Sequence, residues 1–147
     1  MNRHAPIIII EDDDDDQVLL KEAFSNLGYM NELLFFPDGH KVLEFLSTSE
    51  IAPFLILSDI NLPKLDGFAL RDRIKTDARL HLKCIPYLFF STAINEEAVI
   101  KAYNLNVHGF FKKGNSMNAI EKTIRIIMEY WTECASPNMF SNYEVRH

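Results

Sequence analysis

Glu11, Asp12, Asp13, Asp14, Asp15 and Asp16 stand in one unbroken run, directly after Ile7–Ile10. Two carboxylates ~5 Å apart, at an effective dielectric of about 20, repel by roughly 3 kcal/mol. Such side chains either diverge into water or gather around something positive. Asp59 ends the apolar stretch "FLILSD", Ser91 ends "YLFFS", and Lys113 follows "VHGFF". Three acids, a hydroxyl and an amine are the parts of a site for a hard divalent cation and a phosphoryl group. In that chemistry Asp59 is a nucleophile that becomes an aspartyl phosphate. Ser91 and Lys113 are a donor and a fixed positive charge for the incoming oxygens. A calcium loop fits poorly. Counted from Glu11, the sixth position is Asp16, where such a loop needs glycine. Counted from Asp12, the sixth is Gln17 and the twelfth Ala23.

These residues need elements to bring them together. Ile7–Ile10 is a continuous β-branched run, the mark of a strand buried on both faces. Further apolar runs follow at 33–36, 54–59, 87–91 and 107–111. Between them, apolar residues recur at helical spacing. Leu20, Ala23, Phe24 and Leu27 form one such stripe, closed by Gly28. Val42, Leu43 and Leu46 mark the next, then Phe68, Leu70 and Ile74, then Ala98 to Leu105. Ile120, Ile124, Ile127 and Trp131 mark the last. Five strand–helix units predict an α/β fold, a doubly wound five-stranded parallel sheet with right-handed crossovers. Ligands in such sheets bind outside the carboxyl ends of the strands. Glu11, Asp12, Asp59, Ser91 and Lys113 then share one rim. Asp13 to Asp16 are expected in water, some of them capping the first helix.

The 147 residues suit a single domain, expected over 1–133, with an irregular tail at 134–147. The net charge of −6, with no basic patch, argues against a nucleic-acid backbone partner. Cys84 and Cys134 are too few for a disulfide framework or a zinc site, and read as unbridged thiols in a reducing compartment. No signal-peptide pattern and no apolar run near ~20 residues is present, so the expectation is a cytoplasmic protein with no membrane partner.

"IIIIEDDDDD", "LILSDINLPKLDGF", "YLFFSTA" and "GFFKKG", in that order at strand ends, resemble the receiver domain of two-component response regulators over residues 5–132. "LKEAF" and the lengthened segment before Pro86 further resemble the small single-domain receivers associated with phytochrome-type kinases. The resemblance implies a flavodoxin-like (βα)5 sheet with strand order 2-1-3-4-5. It implies that Asp59 is the phosphoacceptor, charged by a sensor histidine kinase or a histidine phosphotransfer protein. Glu11 and Asp12 match the acidic pair that holds Mg2+ with Asp59, and Asn61 matches the position whose backbone carbonyl completes that site. Ser91 matches the switch hydroxyl, Lys113 the lysine that pairs with the phosphoryl group, and Phe110 the aromatic switch. Thr92 and Lys112 compete for two of these places. The spacing from Ser91 to Lys113 is the family's usual one, and alternation turns Lys112 away from the site. The family usually has proline after this lysine, commonly joined by a cis bond. Gly114 stands there instead, so a trans bond is expected, with glycine supplying unusual dihedrals.

The implied function is a phosphorylation-switched module that binds a separate downstream protein, with a homodimer left open. It is a signalling protein rather than an enzyme, apart from chemistry on its own aspartate. The alternatives fall into two other classes, an enzyme and a binding module. A haloacid-dehalogenase-type phosphatase needs a second acid two residues after its nucleophile, and Asn61 is not one. The same residue breaks the Asp-x-Asp of a topoisomerase-primase metal domain. A receiver-like interaction module that works without phosphorylation has no need of Glu11, Asp12, Asp59, Ser91 and Lys113 together.

Overall fold

The computed structural model describes residues 4–81, 83–92 and 94–136. Most of the expected tail, residues 137–147, lies outside the described residues. In chain order the elements are β1 (Ile7–Ile10), α1 (Asp14–Asn26), β2 (Leu33–Phe36), α2 (Gly39–Thr48), β3 (Leu55–Ser58), α3 (Gly67–Thr76), α4 (Ala78–His81), β4 (Tyr87–Ser91), α5 (Glu96–Asn104), β5 (Gly109–Lys112) and α6 (Met117–Glu133). The strands form one sheet in the order β2-β1-β3-β4-β5, with every pair parallel. That is the doubly wound α/β topology expected from the sequence.

The isoleucine run explains why helices cover both faces. Successive strand side chains point to opposite sides. Ile7 and Ile9 therefore pack with Leu20, Phe24, Ile120 and Ile124 of α1 and α6. Ile8 and Ile10 pack with Val42, Leu46, Leu70 and Ile74 of α2 and α3. Burying each such side chain contributes roughly 1.5–3 kcal/mol. Five helices begin with a side-chain cap, at Asp13, Asp38, Asp66, Asn95 and Ser116. Each accepts an N–H from three residues onward, a contact that contributes about 1 kcal/mol. No helix among the described residues is long and apolar enough to cross a membrane, and neither Cys84 nor Cys134 forms a disulfide.

Two elements depart from the sequence expectation. The last strand starts at Gly109 rather than Val107. His108 intervenes: its Nδ1 accepts the Tyr87 N–H at 3.0 Å while its own N–H donates to the Tyr87 carbonyl at 2.9 Å. A side chain thus takes one place in the ladder before the strand begins. The single turn α4 was not anticipated. The Asp77 carboxylate accepts the N–H groups of Arg79 and Leu80, both at 3.0 Å, and the turn seats Leu80 in the core.

Behind the rim, Arg71 on α3 is buried against β4. Its Nε donates to the Leu105 carbonyl at 3.0 Å and its Nη2 to the Asn106 carbonyl at 2.8 Å. Its guanidinium lies 5.4 Å from the centre of the Tyr87 ring. These contacts tie α3 to the turn that leads into β5.

Candidate functional site

The carboxyl ends of β1, β3, β4 and β5 lie side by side, and the polar residues gather there. The Glu11 N–H continues the ladder onto the Phe36 carbonyl at 3.0 Å, and the Asp59 N–H onto the Ile10 carbonyl at 3.0 Å. Carboxylate oxygens of Glu11, Asp12 and Asp59 come within 4.8 Å of one another. Glu11 is buried, Asp12 is exposed, and Asp59 lies between these extremes. Asp59 Oδ1 accepts the Ile60 N–H at 2.7 Å, and Ser58 Oγ donates to the Asp59 carbonyl at 2.8 Å. Gly67 packs so closely on Asp59 that a Cβ there would collide with the Asp59 carbonyl oxygen. The Asp66–Gly67 pair at the start of α3 therefore lets the backbone of Asp59 pack against the helix as well as capping it, a role the sequence reading missed.

Lys113 reaches the rim because its N–H donates to the Ser91 carbonyl at 2.9 Å, one step beyond β5. Its Nζ lies 2.9 Å from Glu11 Oε2, 3.3 Å from Asp16 Oδ2 and 3.5 Å from Asp59 Oδ2. Lys112 is exposed, as is Thr92, whereas Ser91 is fully buried at the end of β4. Phe110 is half-buried on the other face of β5, 5.8 Å from Phe89 between ring centres. Asn61 is exposed on the loop after β3.

Asp16 corrects the reading of the acidic run as a solvated block. Asp13, Asp14 and Asp15 are exposed, but Asp16 pairs with Lys113. The signal was present in the sequence. Asp16 stands four residues before Leu20, so it extends the buried stripe of α1 by one turn.

Burial pushes the Glu11 carboxyl up to about 7, against the pull of the Lys113 hydrogen bond and charge and with a push from Asp59 and Asp16. Burial also works to lower the Lys113 ammonium, but Asp59, Glu11 and Asp16 outweigh it and hold it above its usual value. A carboxyl raised above its unfolded value holds its proton more tightly in the folded chain. Its stabilising contribution is therefore complete below about 4.5 and is lost as pH rises through about 7. In a metal chelator, wild type should lose melting temperature relative to Glu11→Gln between about pH 5 and about pH 7. A constant difference across that window contradicts the assignment.

Gly114 has a different reason from the one expected. The described residues contain no cis peptide bond, as anticipated, but Gly114 is not at positive φ. It is required for space, since a Cβ there would lie 2.5 Å from the Ala119 Cβ on α6. Gly114→Ala should destabilise the fold by about 1–3 kcal/mol, the usual cost of overpacking. Combining it with Ala119→Gly should return most of that loss, less the glycine penalty in the helix. A destabilisation that Ala119→Gly leaves untouched would show that the clash is not the cause.

Oxygen donors without sulfur or imidazole suit magnesium or manganese rather than zinc. Glu11, Asp12 and Asp59 therefore fit a hard divalent cation.

Comparison with known proteins agrees with this geometry. Residues 7–125 match the model of the response regulator receiver domain. The chain is 30% identical to the probable methanogenesis regulatory protein FilR2 of Methanothrix harundinacea, over 78% of this chain and 75% of that one. It is 32% identical to response regulator Rcp1 of Synechocystis sp., over 78% of this chain and 80% of that one. The crystal structure of the phosphorylated cyanobacterial phytochrome response regulator RcpA superposes with a TM-score of 0.79 at 33% identity, covering 90% of this chain and 97% of that one. The Mn(2+)-bound form of Rcp1 superposes with a TM-score of 0.76 at 31% identity, covering 90% and 97%.

Proposed function

Because this chain belongs to the response regulator receiver domain family, we propose that Asp59 is its phosphoacceptor and that the charged rim is a magnesium-dependent phosphotransfer site. The observation that carries the reading is the convergence of Glu11, Asp12 and Asp59 with the Lys113 ammonium at the strand ends. An Asp59 carboxylate oxygen attacks the phosphorus of a phosphohistidine on a sensor kinase or phosphotransfer protein. The new O–P bond forms as the P–N bond breaks, and the electron pair leaves with the imidazole nitrogen. Ile60 N–H holds Asp59 Oδ1 in place during the attack. Lys113 supplies positive charge to the transferred group.

Glu11, Asp12, Asp59 and the Asn61 carbonyl are the ligands assigned to the cation. When bound, it offsets the carboxylate repulsion and offers coordination positions to phosphoryl oxygens. That Rcp1, 31% identical in the aligned structure, has a Mn(2+)-bound form supports a divalent cation here. The protein acts in the cytoplasm as a signalling partner. It carries out phosphotransfer on its own aspartate and delivers its output to a separate protein.

Output follows from Ser91 and Phe110. A phosphoryl group adds about −1.5 to −2 charges to the rim. Ser91 moves toward it, and Phe110 turns into the space released beside Phe89. Beryllofluoride with magnesium, a mimic of the acyl phosphate, should shift amide NMR signals around Phe110 as well as around Asp59. Shifts confined to the rim would refute this output route, and no shifts at all would refute the phosphotransfer site.

A further inference from the structure

Among the described residues, the carboxylates paired with Lys113 are Glu11, Asp59 and Asp16. Glu11 and Asp59 belong to the cluster assigned to the cation, and Asp16 does not. Asp16 is also firmly placed. Its N–H donates to the Asp13 carboxylate at 3.1 Å, and the next residue, Gln17, donates from Nε2 to the Glu11 carbonyl at 2.7 Å. The first turn of α1 is thus fastened to the end of β1, and its side chain at position 16 is aimed at the ammonium. A cavity of about 250 Å³ beside the pair is lined by Asp16, Thr92, Lys113 and Gly114 among others.

These placements define a competition. A cation held by Glu11, Asp12 and Asp59 engages two of the three carboxylates around Lys113. The remaining one is Asp16. A phosphoryl group on Asp59 then draws on the same ammonium. We propose that Asp16 is a positioning residue that holds Lys113 in the unphosphorylated rim and opposes its transfer to the phosphoryl group. This rests on the reading of Asp59 as the phosphoacceptor. Asp16 lies outside the carboxylate cluster assigned to the cation and acts through Lys113. Its effect is to weight the switch toward the resting state, because a phosphoryl group on Asp59 competes with Asp16 for the one ammonium that both face.

The test is a double-mutant cycle on the full chain with two readouts. Calorimetry measures beryllofluoride binding in the presence of magnesium. Asp16→Asn should bind about two- to fivefold more tightly than wild type, the scale of a partly exposed ion pair. Asp16→Glu, which keeps the carboxylate, should stay near wild type. In the Lys113→Met background the gain from Asp16→Asn should shrink toward onefold. Melting in a chelator, where no cation is present, gives the second readout. Asp16→Asn should lower the melting temperature when Lys113 is present and raise it in the Lys113→Met background, where only carboxylate repulsion remains. Equal effects in both backgrounds, or no gain in beryllofluoride affinity, overturn the role of Asp16 while a wild type that binds beryllofluoride leaves Asp59 standing. A wild type that binds none overturns both.

Discussion

Asp59→Asn is expected to gain no phosphoryl mass from acetyl phosphate and magnesium, where wild type gains one. The amide has no carboxylate oxygen to attack phosphorus, so the loss should be complete by intact-mass measurement. The substitution is otherwise conservative, because an amide oxygen still accepts the Ile60 N–H that Asp59 Oδ1 accepts at 2.7 Å. Glu11 and Asp12 are near enough to test the point, since their oxygens lie within 4.8 Å of Asp59. If either could serve as nucleophile, the variant would still be labelled. Labelling at the wild-type rate would remove Asp59 from its assigned role and leave the rim as a cation site alone.

Asp12→Ala should separate two effects that usually travel together. Asp12 is exposed and makes no ion pair with Lys113 among the described residues, so without metal it contributes repulsion from Glu11 and Asp59. Removing it should raise the melting temperature in a chelator by a few degrees. With metal the sign reverses. A cation at a hundred times its dissociation constant stabilises the folded state by about 2.7 kcal/mol, and the variant should forfeit most of that gain together with metal-dependent phosphorylation. Asp15→Ala, which removes an exposed acid outside the cluster, should keep both. Equal losses in the two variants would mean that the whole acidic run, rather than the strand-end group, binds the cation.

The parts of this site that were legible in the sequence are those the sheet dictates. Uniformly apolar runs locate β1, β3 and β4, and a strand's end fixes where Glu11, Asp12, Asp59 and Ser91 must lie. The parts that were not legible depend on single contacts across the fold. His108 fills a ladder position with its imidazole, so apolar pattern alone starts β5 two residues early. Gly114 reads as a backbone requirement until Ala119 is seen beside it. Asp16 looks like its exposed neighbours because charge runs are read by composition, whereas helical spacing marks it as inward-facing. Gly67 similarly looks like turn chemistry, and only the packing shows that it abuts Asp59.

The position of β1 also bears on how the chain survives its own synthesis. Ile7–Ile10 lies between β2 and β3 and pairs with both. At about 5–20 residues per second, this strand leaves the ribosome seconds before Leu55–Ser58 exists to cover its second edge. A bare isoleucine tetrapeptide is the kind of segment that pairs with copies of itself on neighbouring nascent chains. Here it is followed at once by a block of like charge, and Asp14 and Asp15 remain in water even after folding. Such flanking charges act as gatekeepers against intermolecular pairing. The exposed acids after β1 thus stand where gatekeeping charges are placed, beside an apolar strand that must wait for its second partner.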